Sequence, residues 1–115
     1  MASATLTVVI KKDYVERMIE QLAAAIARLL KLREAGNHGE ALAVVRTACE
    51  EAFGLEYEML VGVDAASAAS LLGTPLKVKR FAELVRAEAE VLEAAGERGL
   101  AVRRRTFAAA LEHGT

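Results

Sequence analysis

An all-helical fold is the class this sequence predicts, and three observations predict it. The apolar share is 54%, enough for a packed core, yet aromatics make up only 4% and Trp is absent. The core must therefore be built from Leu, Val, Ile and Ala, and Ala is the best helix former. Pro75 is the sole proline. Between the glycines, apolar residues recur at steps of three and four, the period of a helix with one buried face. A chain of 115 residues has the length of one domain and buries roughly two thirds of the surface its unfolded form exposes.

The stretch "ASATLTVVI", residues 2–10, breaks the pattern with its β-branched residues. Residues 1–12 are expected to form an extended or disordered tail. Two readings of it stay open: a strand-like arm that docks on a partner or second subunit, or a native start at Val8 or Val9. The single α-helical domain then covers residues 13–115. Its first helix should run from Asp13 to about Glu34, with Asp13 as N-cap and Glu16 at capping-box spacing. Val15, Met18, Ile19, Leu22, Ala23, Ile26, Leu29 and Leu30 form its buried face, and Tyr14 flanks that face. Glu16, Arg17, Glu20, Gln21, Arg28 and Lys31 fall on the wet side.

Gly36 ends this helix, as a left-handed C′ glycine does. Asn37 is in place to cap a second helix from His38 to Phe53, closed by Gly54. A link this short forces an antiparallel hairpin. A short helix over Glu56–Val61 follows, then one capped by Asp64 over "AASAASLL", ended by Gly73. Thr74 caps the next helix, with Pro75 at the favoured first position, running to about Ala95. Its apolar residues form two stripes, Val78, Phe81, Ala82, Val85, Ala89 and Leu92 beside Leu84, Ala87, Val91 and Ala95. Two stripes mean two neighbours, so this helix should be central. Gly96 ends it, and a last helix covers Arg98 to Glu112.

"GNHGEALAVVRTA" from Gly36 and "GERGLAVRRRTFA" from Gly96 align without a gap, sixty residues apart. Two hairpins of similar shape are expected, joined by the short helices around residues 56–72. Gly36, Ala41 and Ala48 sit where a tetratricopeptide repeat wants small residues, although the bulky aromatics of that repeat's first helix are missing. A wider resemblance rests on "KKDYVERMIEQL", "GNHGEALAVV", "FGLEYEML" and "LLGTPLKVKRFAELVRAEAEVLEAAGE". Together they resemble a family of small bacterial proteins of unknown function with tetratricopeptide-like helices. There an aromatic, an Arg-Met or Arg-Gln and an Ile-Glu open the first helix, places held here by Tyr14, Arg17, Met18, Ile19 and Glu20. The resemblance implies about five to six helices in tetratricopeptide-like antiparallel hairpins, and it brings no catalytic residues. The first ten residues depart from the family pattern, which favours the later start.

Net charge is −1, from 15 basic and 16 acidic residues, and both halves are balanced. Nothing here draws a polyanion from a distance, so no nucleic-acid partner is expected. Arg outnumbers Lys, as in proteins of GC-rich bacterial genomes. A lone Cys49 implies no disulfide and hence no oxidising compartment. No segment reaches the roughly 20 apolar residues that span a bilayer, and "TLTVVI" is too short for a secretory core, with Lys11 and Lys12 on its wrong side. The reading is cytoplasmic, without a membrane partner.

Candidate chemistry is thin. His38 and His113 are the two histidines, and neither has a ligand at metal-binding spacing. Cys49 lies on an apolar helix face beside Glu50 and Glu51, the opposite of what activates a thiolate. Glu83, Glu88, Glu90 and Glu93 lack the Glu-x-x-His pairs of helical di-metal sites; interspersed with Lys79, Arg80 and Arg86 they read as surface ion pairs. Arg103, Arg104 and Arg105 point about 100° apart on a helix, and Arg105 is the one expected near the inner face, reaching an acid on a neighbouring helix. No catalytic, cofactor-binding or metal residue is expected. The chain reads as a non-catalytic protein–protein interaction module of unknown partner, with a homodimer as one form. The alternative is a small-ligand-binding sensor or enzyme accessory subunit. Tyr14, Arg17 and Arg105 are the candidate partner contacts.

Overall fold

The computed structural model describes residues 2–114, with side chains from Asp13 onward. It is all-α: α1 (Ala2–Glu34), α2 (His38–Phe53), α3 (Tyr57–Gly62), α4 (Ala65–Leu72), α5 (Pro75–Ala94) and α6 (Arg98–His113). α1 pairs with α2 and α5 with α6, each an antiparallel hairpin. α5 also packs on α1, α2 and α4, and α4 reaches α6. α5 is thus the central helix its two stripes predicted. Of those stripes only Ala95 is exposed, because the helix has already ended at Ala94.

Both hairpin turns are built alike. Gly36 and Gly96 have φ of 80° and 86°. Gly36 donates its N–H to the Arg33 carbonyl and Asn37 to that of Leu32, at 3.0 and 2.8 Å. Gly96 and Glu97 repeat this with Glu93 and Leu92, at 3.1 and 2.8 Å. This is the Schellman arrangement, and it needs a residue that tolerates positive φ. Asn37 and Glu97 then enter α2 and α6 with the same backbone angles, neither capping with its side chain. Asp64 and Thr74 do cap as expected, accepting from the N–H groups of Ser67 and Lys77, both at 3.2 Å.

The hairpin seams are alike too. Met18 and Val78, Leu22 and Ala82, Leu29 and Ala89, Ala41 and Ala101, and Ala48 and Ala108 are all buried, each pair sixty residues apart. Between the hairpins sits Phe81, whose ring lies 5.9 Å from Phe53, 5.8 Å from Tyr57 and 6.5 Å from Phe107. One ring on α5 thereby gathers the end of α2, the start of α3 and the middle of α6.

Three expectations are corrected. α1 begins at Ala2, ahead of the expected start, and Asp13 is a helix-interior residue instead of a cap. The penalty for a β-branched residue in a helix is only about 0.7 kcal/mol or less, and extending a formed helix avoids the cost of nucleation. Ala23, expected on the buried face of the first helix, is exposed. And Glu88, read as a surface acid, is 3% exposed.

Candidate functional site

Among the described residues, a closed cluster and an open furrow each combine polar groups in a way that could serve function. The cluster forms where α3, α5 and α6 meet. Tyr57 opens α3 and is 2% exposed; its hydroxyl donates to Glu88 Oε1 at 2.7 Å. Arg104 Nε donates to the same oxygen at 2.8 Å. Burial, and then the Glu88 carboxylate, push the Tyr57 phenol far above its ordinary range, so it stays protonated and a donor. A buried carboxylate is tolerated when it is paired and hydrogen-bonded, and Glu88 has both a cation and a hydroxyl. Tyr57 and Glu88 are buried, and the Arg104 side chain is 16% exposed. The cluster therefore ties three helices together.

The furrow lies between α1 and α2. One depression of about 400 Å³ is lined by Ala24, Ala25 and Arg28 of α1 and by Glu40, Ala43, Val44, Thr47, Ala48 and Glu51 of α2. A second, of about 310 Å³, is lined by Tyr14, Arg17, Met18, Gln21, Glu51 and Ala52. They share Glu51. The lining residues recur every three to four positions along α1 and along α2, so the two depressions follow each other along the same side of the helix pair and meet at Glu51. From Tyr14 to Arg28 the furrow runs for roughly 20 Å at the rise of an α-helix. Its floor is small and apolar. Arg28 and Glu40 stand 3.7 Å apart at one end, both well exposed, and Arg17 and Glu51 line the other.

Of the sequence-derived candidates, the structure brings Tyr14 and Arg17 together on this furrow. Tyr14 is 48% exposed, and Arg17 Nε donates to the Asp13 carbonyl at 3.4 Å. Arg105 lies elsewhere. It pairs with Glu93 at 3.0 Å and Glu90 at 3.8 Å, and Glu90 also takes Arg33 at 2.9 Å. That chain of charges staples α1, α5 and α6 near their shared end. Arg105 does reach an acid on a neighbouring helix, but the inner arginine of the run is Arg104, with a side chain 16% exposed against 37% for Arg105.

Cys49 is buried and gives its thiol hydrogen to the Leu55 carbonyl, with sulfur and oxygen 3.4 Å apart. Burial, helped by Glu50, pushes the thiol up to about 12, well away from a nucleophile. Among the described residues no three His, Cys, Asp or Glu side chains gather to hold a metal, and no helix is long and apolar enough to cross a membrane.

Comparison with protein-family models, with curated proteins and with solved structures yields no match in any of the three. What stands is a small all-α domain whose helices pack in antiparallel pairs.

The sequence reading missed the Tyr57–Glu88–Arg104 cluster, although a signal for it exists. Glu88 falls on the stripe Phe81, Leu84, Val91, and Arg104 on the stripe Ala101, Ala108, Leu111. A charge at an apolar helical position on two helices of one hairpin points to a pair between them.

Proposed function

We propose that this chain is a non-catalytic helical protein–protein interaction module of tetratricopeptide-like hairpins, and that the α1–α2 furrow is its docking face. One observation carries the reading. The two hairpins share turn and seam, yet they differ in what covers the same face. Phe81, Leu84, Glu88 and Val91 of α5 are buried, while their counterparts Gln21, Ala24, Arg28 and Lys31 of α1 are exposed. In stacked helical hairpins each unit buries its face against the next, and the terminal unit is left with one face open. The furrow is that open face. The closed Tyr57–Glu88–Arg104 cluster and the raised Cys49 thiol support a role without catalysis.

The test is affinity capture of the full chain, tagged at its C-terminus, from the cells that make it, with mass spectrometry of what is retained. Wild type and the Tyr14→Ala/Arg17→Ala variant are compared. A stoichiometric partner lost by the variant, with the variant's melting temperature unchanged, supports the furrow. A partner kept by the variant moves the docking face elsewhere. A chain that captures nothing, not even itself, while a small metabolite raises its melting temperature would replace this reading by ligand sensing.

A further inference from the structure

We infer that the occupant of the furrow is a second copy of this chain, related by a two-fold axis parallel to α1 and α2; the inference rests on the reading of the furrow as a docking face. The argument comes from how charge is distributed on the furrow walls. Arg28 lies level with Glu40, its ion-pair partner at 3.7 Å. Because α1 and α2 run antiparallel, equal steps of four, three and four residues away from the turn set Ala24 level with Val44, Gln21 with Thr47, and Arg17 with Glu51. The furrow's arginines therefore stand on α1 and its glutamates on α2, at matching heights.

Two furrows can meet face to face about two kinds of in-plane two-fold axis. An axis perpendicular to the helices lays α1 on α1, with Arg17 over the second copy's Arg28 and Glu40 over its Glu51, all like charges. An axis parallel to the helices lays α1 over α2 of the second copy at the same height. Arg17 then meets Glu51, Arg28 meets Glu40, and the Gln21 amide meets the Thr47 hydroxyl, which are donor and acceptor to each other. Each of these contacts occurs twice, as an isologous interface requires. Every helix then has antiparallel neighbours, the arrangement of an up-and-down four-helix bundle, and the alanine floor lets the helices approach.

Sedimentation velocity on the full chain tests this. Wild type should sediment as a dimer that weakens as salt is raised. Arg17→Glu/Arg28→Glu and Glu40→Arg/Glu51→Arg each set like charges against each other, and each should raise the dimer dissociation constant by about a hundredfold or more. Mixing the two variants should restore a dimer, now a heterodimer. Circular dichroism checks that both remain helical. Arg17→Gln/Arg28→Gln introduces no repulsion and should weaken the dimer by a smaller factor, about tenfold. A wild type that stays monomeric overturns the inference, as do reversed variants that stay dimeric alone or a mixture that stays monomeric. A monomeric wild type that still captures a different protein in a Tyr14- and Arg17-dependent way removes only the homodimer; one that captures nothing removes the docking face as well.

Discussion

The hairpins α1–α2 and α5–α6 have one turn, one seam and two different outsides. Where α5 carries Phe81, α1 carries Gln21; where α6 carries Phe107 and Leu111, α2 carries Thr47 and Glu51. The side chains that pair helix with helix inside each hairpin are apolar in both, larger in α1 (Met18, Leu22, Leu29) than at the matching places of α5 (Val78, Ala82, Ala89). The side chains that face the next layer are large in one and polar in the other. What distinguishes a core hairpin from a surface hairpin here is thus a handful of positions on one face, while the backbone stays the same.

The comparison can be broken most severely at Phe81. Phe81→Ala removes the ring that Phe53, Tyr57 and Phe107 surround and should cost about 3–5 kcal/mol in urea denaturation. Gln21→Ala, at the matching place, should change stability by less than about 0.5 kcal/mol. Equal losses would mean that the two faces are equally covered.

Next in size is Glu88. Glu88→Ala strands the Tyr57 hydroxyl and the Arg104 guanidinium and should destabilise by about 3 kcal/mol, because one partner of a buried pair is removed. Within one chain, its counterpart Arg28→Ala loses an exposed pair at 3.7 Å, worth about 0–1 kcal/mol. Replacing Tyr57 by Phe, Glu88 by Leu and Arg104 by Met together should recover much of the Glu88→Ala loss. No recovery would mean that the hydrogen bonds contribute more than their desolvation costs.

The turns sharpen the comparison from the other side, since they should respond alike. Gly36→Ala and Gly96→Ala place a Cβ at positive φ, and each should cost about 1–2 kcal/mol. Neither glycine has an atom within 4 Å of an added Cβ, so the cost is backbone strain alone. Thermal melts that separate the two variants widely would show that the hairpins are not equivalent.

The smallest effect is on acid stability. The Asp64 carboxyl is held below its ordinary value by the Ser67 hydroxyl and N–H, and that of Glu112 by Arg86. A group whose folded-state pKa is depressed binds its proton more readily in the unfolded chain. Its stabilisation is full above the ordinary carboxylate range and is lost as pH falls through the depressed value. Both groups are exposed, so the melting temperature should fall only slightly between neutral pH and acid on their account. Asp64→Asn and Glu112→Gln should flatten that part of the profile.

Much of this was legible from the residues. Gly36 and Gly96 announce their turns because few other residues tolerate positive φ, and Asp64, Thr74 and Pro75 announce the helix starts through local chemistry. The two stripes of α5 announce a central helix, although it packs on four others instead of the two expected. The start of α1 was misread because the β-branched run argues against helix only weakly. Tyr14 and Arg17 could be singled out as exposed but not joined to Glu51, which lies on another helix.

The sequence by itself determined the helical class, the breaks between helices and the likeness of the two hairpins, because caps, glycines and apolar period act within a few residues of where they stand. Only the tertiary structure decided which hairpin face is covered, that Arg104 and not Arg105 turns inward, and that Glu88 is buried between Tyr57 and Arg104. Those depend on which helices stack on which, and burial is a property of the neighbour as much as of the residue.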